Sequence, residues 1–325
     1  MFFLFAPIFI TVYDRLEHLR QCIDSLKKCP ESEYTTLYIA SDCAAIPEHE
    51  NAISNVREYI KTIDGFYKII PILRDNNLGG YQNATQALFH IFEQHETVIA
   101  MEDDVIVGKG FLNFINDGLI RFKDEPSVIG VCAYLPPGIY NETEECFFLQ
   151  GRSPYGFGMW RDKEKNIYSY FDKKYINKTV LKFDFFRKFE RTHPHVARSI
   201  PLILKSDFKP IDILTAIIMQ DKGFFSYYPP TSISASRGND GSGLHSGVNR
   251  LLQNQEVSDE IYTSGSVIQI EALKEMEKKI ERSYRAPMIK VLNYFIYFTF
   301  RLPGFFSIYT LSREKVKKAR LLLIK

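Results

Sequence analysis

The stretch Thr97-Val-Ile-Ala-Met101 is a short apolar run that leads directly into three adjacent carboxylates, Glu102-Asp103-Asp104. A strand that ends in this way places the carboxylates at the rim of a parallel sheet, where open α/β folds bind their ligands. The three side chains repel one another unless a cation lies among them. Hard divalent ions such as Mg²⁺ and Mn²⁺ prefer oxygen ligands, and proteins hold them with one or two carboxylates plus the phosphates of a substrate. The stretch therefore predicts a metal-diphosphate site, and the alternative is a solvated acidic turn.

Apolar runs and amphipathic stretches alternate on both sides of this strand. That alternation predicts an α/β fold with a mostly parallel central sheet and helices on both faces. A helix after the first strand is predicted to have Asp14 as its N-cap, with Glu17 three positions later. The predicted strands are 6–12, 36–41, 68–73, 97–101 and 127–134, and the predicted helices are 14–26, 81–93 and 110–122.

The pattern is less regular after residue 151. An aromatic and basic stretch, 163–209, contains at least one predicted helix, at 180–191. It is either a substrate-specific insert or a layer of surface helices. A helix that begins near residue 210 directs Ile211, Leu214, Ile218 and Met219 toward a core. Short strands are predicted at 224–228 and 231–236, and a glycine-rich loop at 237–247 is able to move or close.

Composition and charge exclude some classes of function. The net charge is only +2 at neutral pH, so no basic field favours nucleic acid as a partner. The five cysteines have no CxxC zinc spacing and lie mostly in apolar surroundings, which indicates core residues and a reducing compartment. The apolar residues 1–10 have no basic start and no cleavage site, so we expect a first buried strand rather than a signal peptide.

Several of these features occur together and in the same order in one known family. The Asp14-Arg15 pair, Asp42, the 102–104 carboxylates, the segment Gly156-Phe-Gly-Met-Trp160 and the glycine-rich loop resemble the N-acetylglucosaminyltransferase I family. The chain is also similar to bacterial sugar transferases of the same GT-A architecture, and the resemblance covers residues 7–247. It implies a GT-A fold, a Rossmann-like nucleotide-diphospho-sugar transferase fold.

The resemblance implies roles for the residues at the strand ends. Arg15 and Asp42 match residues that line the uridine pocket, and Asp42 can accept hydrogen bonds from the base. Glu102 and Asp103 match carboxylates near the ribose and the metal waters. Asp104 matches the residue that binds Mn²⁺ directly, so the implied cofactor is Mn²⁺ or Mg²⁺.

Further roles follow for the second half of the chain. Tyr81 stands where the family has a histidine near the nucleotide, and Trp160 belongs to a loop beside the sugar and the acceptor. Asp212 matches the catalytic base, which takes the proton of the acceptor hydroxyl. Arg237 and His245 lie in the counterpart of a loop that orders over the donor.

Each of these residues also has a simpler interpretation. Asp212 stands where a capping aspartate is common. Arg237 either neutralises the diphosphate when the loop closes or solvates that loop. His245 is open to three interpretations: a second metal ligand, a phosphate contact or neither. Trp160 either stacks on a sugar ring or lies in the core.

The resemblance divides the chain into a catalytic domain, 1–250, and a helical tail, 251–325. The catalytic domain comprises a nucleotide-binding half, 1–150, and an acceptor and base half, 151–250, with the glycine-rich lid. In the tail, a charged helix at 271–285 precedes the apolar run 291–300, and residues 313–325 contain six basic residues and one acidic residue. The apolar runs are too short to span a bilayer, which predicts interfacial docking on anionic lipid, with packing on its own domain or on a second copy as the alternatives.

The expected function is a metal-dependent, inverting transfer of a hexosyl or N-acetylhexosaminyl group from a nucleotide sugar, in particular a UDP-sugar. The expected acceptor is a hydroxyl of a glycan or a lipid-linked glycan precursor, in polysaccharide biosynthesis. A sugar nucleotidyltransferase is one alternative, although Thr11-Val-Tyr-Asp14 replaces its glycine-rich signature. A non-catalytic glycan-binding relative is the other. The animal enzymes carry a membrane anchor and stem, and here a cytoplasmic protein, peripheral on the inner face of the plasma membrane, is expected.

Overall fold

The structure is a computed structural model that describes residues 5–205, 211–242, 248–262, 270, 273–284 and 287–299. Within these ranges the strands are β1 (Ile8–Val12), β2 (Thr36–Ser41), β3 (Lys68–Leu73), β4 (Thr97–Glu102), β5 (Val105–Val107), β6 (Val128–Cys132), β7 (Phe147–Leu149), β8 (Phe157–Trp160), β9 (Phe225–Tyr228) and β10 (Ser234–Ser236). The helices there are α1 (Leu16–Leu26), α2 (Glu50–Ile60), α3 (Gly80–Gln94), α4 (Phe111–Arg121), α5 (Arg161–Ser169), α6 (Lys173–Val180), α7 (Phe183–Thr192), α8 (Pro194–Ala197), α9 (Ile200–Lys205), α10 (Ile211–Lys222), α11 (Arg250–Gln253), α12 (Lys274–Tyr284) and α13 (Pro287–Thr299).

The main sheet has the strand order β3-β2-β1-β4-β8-β6-β9-β7. The strands β3, β2, β1 and β4 are parallel to one another, and β6 is parallel to β9. The strands β8 and β7 are antiparallel to their neighbours, so β8 reverses the chain direction between β4 and β6. The predicted α/β class with a mostly parallel sheet is confirmed.

Helices cover both faces of this sheet, as the alternating pattern predicts. Ile8, Ile10 and Val12 of β1 pack in one core cluster with α1, α2 and α4. Phe9 points to the other face, where it packs with residues of α3. Burial on both faces explains why β1 has an unbroken apolar sequence.

The start of α1 differs from the prediction. The helix begins at Leu16, with Arg15 rather than Asp14 at the N-cap position and no side-chain capping hydrogen bond. The backbone of Arg15 is not helical, with φ −98° and ψ 74°. Arg15 reaches across to the end of β4 from this position and pairs with Asp103 and Asp104.

The segment that contains Trp160 is also different, because it forms a strand of the main sheet instead of a loop. A Cβ atom at Gly158 would lie 2.6 Å from Ile115 Cγ2, so the close packing of β8 on α4 needs glycine there. The aromatic and basic stretch forms helices α5 to α9, and α7 coincides with the helix predicted at 180–191. Buried apolar residues of these helices form a second core with Leu214, Ile218 and Met219 of α10, in agreement with a helix layer.

Two further expectations concern the cysteines and the tail. Cys22, Cys29, Cys132 and Cys146 are buried, and all five cysteines are free thiols, as expected for core residues. In the tail, Met276 of α12 is buried in a cluster with Phe147 and Leu149. None of the described helices has both the length and the apolar character that a bilayer crossing requires. The basic segment 313–325 lies outside the described residues.

Candidate active site

The ends of three neighbouring parallel strands bring the predicted site residues together. Val12 of β1 pairs with Ser41 of β2, and Thr11 pairs with Glu102 of β4. Asp14 and Arg15, Asp42, and Asp103 and Asp104 follow these three strand ends. We call this end of the sheet the carboxyl edge, and it is the place where such folds bind ligands.

Arg15 lies between two carboxylates of the acidic triplet. Its Nη2 atom donates to Asp103 Oδ1, and its Nη1 atom lies 2.9 Å from Asp104 Oδ2. Burial opposes the charge on the guanidinium, but the charges of Asp103 and Asp104 outweigh that effect and raise the pKa of Arg15. Burial raises the pKa of Asp103 to about 6, even though the charge of Arg15 opposes this shift. Arg15 thus compensates part of the negative charge of Asp103 and Asp104.

Asp104 is also held from the second half of the chain. The strands β5 and β10 pair antiparallel, and this pairing brings Ser236 next to Val105. Ser236 Oγ donates to Asp104 Oδ1 at 3.3 Å, and the backbone N–H of Arg237 donates to the Asp104 carbonyl at 2.7 Å. A Cβ atom at Gly238 would lie only 2.0 Å from Asp104 Oδ2, so this close approach requires glycine.

Glu102 and Asp212 are the open carboxylates of this edge. Both side chains are exposed, and Asp212 lies in the first turn of α10. Desolvation by the surrounding edge raises the pKa of Glu102 to about 7, and the charges of Asp104, Asp103 and Asp212 raise it further. Because the charge of Asp212 affects Glu102, the two carboxylates lie within range of direct electrostatic interaction. The predicted base is therefore at the same edge as the acidic triplet.

Asp42 is buried, and its carboxylate organises the loop before α3. Its Oδ1 atom accepts from the backbone N–H groups of Cys43 and Leu78, each at 2.9 Å. Its Oδ2 atom accepts from Asn77 Nδ2 at 3.3 Å. The side chain thus positions the loop that leads to Tyr81, which is 42% exposed in the first turn of α3. The predicted contacts of Asp42 and Tyr81 with a nucleotide stay predictions.

The Arg237 side chain is hydrogen-bonded to a later segment of the chain, and its predicted role at the diphosphate stays a prediction. Its guanidinium donates to the backbone carbonyls of Gln253 at 2.5 Å and Gln255 at 2.9 Å, at the end of α11. Burial in this position lowers the pKa of Arg237. The side chain anchors the start of the glycine-rich loop to the following segment, because the orphan carbonyls at a helix end need donors.

Trp160 does not lie at the carboxyl edge, and the prediction that it stacks on a sugar is wrong. It pairs with Thr97, at the opposite end of β4 from Glu102. The ring is 2% exposed, and its Nε1–H donates to the Leu119 carbonyl at 3.0 Å. The core interpretation of Trp160 is the one that the structure supports. His245 lies outside the described residues, so its three interpretations stay open.

His18 is a residue of this edge that the sequence analysis missed. Its Nε2 atom lies 3.2 Å from Asp240 Oδ2 and 3.2 Å from the Arg237 carbonyl, so it fastens the described part of the glycine-rich loop to α1. Its positive form lowers the pKa of Asp103, although burial and Arg15 act more strongly on that carboxyl. The signal was present in the sequence, because His18 lies in the first turn of α1, only three positions after Arg15.

The donor set at this edge fits a divalent ion that a substrate completes. In the described part of the chain, no three histidine, cysteine or acidic side chains converge to form a metal cage. Mg²⁺ and Mn²⁺ bound with nucleotides need only one or two carboxylates, because phosphates and water supply the other ligands. Glu102 is open to a cation, whereas Asp104 would share its carboxylate with Arg15 Nη1 at 2.9 Å.

Comparisons with known proteins give weak similarities. No protein-family model matches the chain, and a search of curated proteins found no match. Among solved structures, the mannosyltransferase PcManGT from Pyrobaculum calidifontis in complex with GDP-Man and Mn²⁺ is 11% identical, with a TM-score of 0.38 over 50% of this chain and 46% of that one. S. aureus TarS is 14% identical, with a TM-score of 0.37 over 62% of this chain and 40% of TarS. This chain thus spans less than half of either protein, and similarities this low do not bear on its activity.

Proposed function

We propose that the chain is a metal-dependent, inverting glycosyltransferase that moves a sugar from a nucleotide sugar, in the first place a UDP-sugar, to a hydroxyl of a glycan or lipid-linked glycan. The observation that supports this best is the geometry of the carboxyl edge, where Arg15 pairs with Asp103 and Asp104 beside the exposed Glu102. The charge of Asp212 also raises the pKa of Glu102, although desolvation, Asp104 and Asp103 act more strongly. Transfer requires a place for a sugar diphosphate and a base for the acceptor. The carboxyl edge offers candidates for both.

Asp212 is the candidate for the base. Its carboxylate is exposed and lies at the N-terminal turn of a helix, where the helix dipole stabilises a negative charge. In the proposed reaction it accepts the proton of the acceptor hydroxyl while that oxygen attacks the anomeric carbon from the face opposite the diphosphate. The bond to the diphosphate breaks with its electron pair on the leaving oxygen, and the anomeric configuration inverts.

The acidic triplet and Arg15 are the candidates for the donor site. Glu102 and Asp104 would hold a divalent ion, which would supply Lewis-acid stabilisation of the leaving diphosphate. Arg15 holds Asp103 and Asp104 in place through its two ion pairs, so the carboxylates keep their orientation before a nucleotide arrives. Asp42 fixes the neighbouring loop at the same edge.

The test is nucleotide binding and donor turnover with and without Mn²⁺. Calorimetric titration of the full chain with UDP and GDP, followed by a hydrolysis screen of their sugars, identifies the donor. We expect binding to need the divalent ion and Asp104→Ala to weaken the Mn²⁺-dependent part about tenfold or more, because a charge-assisted contact is lost. Asp117→Ala, in α4, is the control for a lost aspartate. Equal affinity with and without the ion would contradict the metal-dependent form of the proposal.

A further inference from the structure

The outward face of α13 has an unusual composition for a helix of a folded domain. Its large apolar side chains recur at helical spacing and form one stripe on the exposed side. The exposed fractions of these residues are Met288 80%, Val291 69%, Leu292 43%, Phe295 57% and Phe298 58%. Single exposed apolar residues are common on protein surfaces, but a continuous stripe marks an interaction site.

The inward face of the same helix contains a buried polar residue. Asn293 is 1% exposed, and its Nδ2 atom donates to the Pro194 carbonyl at 2.9 Å and to Glu190 Oε1 at 3.3 Å. Tyr297 is also buried, with its ring stacked 3.8 Å from that of Phe186. The hydrogen bonds and the ring contact fix the rotation of α13. The helix therefore cannot turn its apolar stripe inward without losing them.

The surface around the stripe is apolar and basic. Phe183 is 46% exposed and its ring lies 5.8 Å from that of Phe298, which extends the stripe onto the start of α7. Lys182, directly before Phe183, and Lys290, on α13 itself, are exposed. The exposed acidic residue of α7, Asp184, lies 3.5 Å from Arg187 and is thus offset by a basic neighbour.

Charge decides between the possible occupants of this face. A second copy of the chain, docked face to face, would bring the basic residues of both copies together. An anionic lipid surface accepts the apolar stripe into its interface and attracts the flanking lysines, as it does for interfacial amphipathic helices. The sequence after α13 has the same character, because residues 313–325 contain six basic residues and one acidic residue.

We propose that the outward face of α13, with Phe183 beside it, docks on an anionic membrane surface. The apolar stripe enters the lipid interface, and the surrounding basic residues select negatively charged headgroups. The membrane interaction does not depend on the catalytic residues, because none of them belongs to this face. It can therefore be tested without knowledge of the donor or the acceptor.

The test is flotation of the full chain with vesicles of phosphatidylcholine alone and of phosphatidylcholine with 30% phosphatidylglycerol. The variant Met288→Asp/Val291→Asp changes the two most exposed residues of the stripe, and aspartates near a helix N-terminus suit the helix dipole. The control variant Tyr67→Asp/Ile120→Asp changes exposed apolar residues on other elements, 70% and 61% exposed. Circular dichroism and thermal unfolding verify that both variants fold.

We expect the wild type and the control variant to float with the anionic vesicles. The partition coefficient of the stripe variant should be about tenfold lower, because two apolar side chains no longer enter the interface. Binding should be lower on neutral vesicles and in 0.5 M salt, where lipid charge is screened. Equal flotation of the stripe variant and the wild type would overturn the proposal. Failure of the wild type to float would also overturn it. So would a dimer of the wild type that the stripe variant does not form and that persists in the presence of anionic vesicles.

Discussion

The carboxyl edge contains two kinds of carboxylate that differ in their partners. Asp103 and Asp104 are buried, and both are paired with Arg15. Glu102 and Asp212 are exposed, and the charge of Asp212 is one of the charges that raise the pKa of Glu102. The paired carboxylates build the edge, whereas the open ones are available to a substrate. We expect the ion pairs of Asp103 and Asp104 to matter most for stability. Glu102 and Asp212 should matter most for the proposed chemistry, in which Asp104 also serves as a ligand of the divalent ion.

The largest effect is expected from a change of Asp212, one of the two exposed carboxylates. We expect Asp212→Asn to lower sugar transfer about 10²- to 10⁴-fold, the range for loss of a general base, while nucleotide affinity changes less than about twofold. The free energy of unfolding should change by less than about 1 kcal/mol, because the lost group is an exposed helix-terminal charge. Steady-state kinetics and calorimetric titration measure the two effects separately.

Asp184 gives a matched control for this experiment. It is the second residue of α7, as Asp212 is the second residue of α10, and it is equally on the surface. Asp184→Asn should reproduce any effect of the helix dipole without a loss of transfer. If Asp212→Asn retained full transfer, the residue would be a helix-terminal aspartate and not the base.

The second prediction concerns the ion pairs of Arg15. Arg15→Gln leaves two buried carboxylates without their cation, and we expect the free energy of unfolding to fall by about 3 kcal/mol at pH 8. The folded-state pKa of Asp103 is already raised to about 6, so the stability linked to its protonated form is present at low pH and is lost as the pH rises through that value. The deficit of the variant should therefore be smaller at pH 5 than at pH 8.

Urea unfolding at the two pH values measures this deficit. Arg20→Gln, in α1, is the control. The Arg20 guanidinium lies over the ring of Tyr59, 4.3 Å from its centre, and so its main contact is aromatic rather than a carboxylate of the edge. Its loss should be about 1 kcal/mol or less, independent of pH. An equal loss in both variants would show that Arg15 contributes packing rather than charge compensation.

The strand ends could be predicted from the sequence, because an apolar run that stops at a polar residue marks the edge of a buried parallel strand. Asp42 and the 102–104 triplet were found in this way, and the sheet register then brought them together. The helix face of α10 was predictable for a similar reason, since Leu214, Ile218 and Met219 follow a helical period. These features depend on local pattern alone.

The features that could not be predicted depend on contacts between distant segments. Four residues, Phe157–Trp160, are too few to distinguish a strand from a loop, and their antiparallel insertion puts Trp160 at the wrong end of the sheet for a site. The destination of the Arg237 guanidinium depends on the carbonyls of Gln253 and Gln255, which the sequence does not reveal. The role of a long basic side chain near a predicted site is thus the hardest feature to predict from the sequence.

Glu102, the other exposed carboxylate, should affect stability in a way that depends on pH. The folded-state pKa of Glu102 is raised to about 7, so its charged form is disfavoured in the folded protein, and stability present below the ordinary carboxyl pKa is lost as the pH rises through 7. Glu102→Gln removes this loss. We expect the free energy of unfolding to rise by about 1 kcal/mol at pH 8, since water screens an exposed side chain, and to be unchanged at pH 4.

Glu17→Gln, an exposed change in the first turn of α1, is the control and should give no such gain. The source of the gain can then be traced with Asp212→Asn, because neutralising either carboxylate removes the same repulsion. The stabilisation by Glu102→Gln at pH 8 should be smaller in the Asp212→Asn background, and a double-mutant cycle measures that difference. If the effects of the two substitutions on the free energy of unfolding were fully additive, the charges of Glu102 and Asp212 would not interact. That result would contradict the proposal that the two carboxylates share one site.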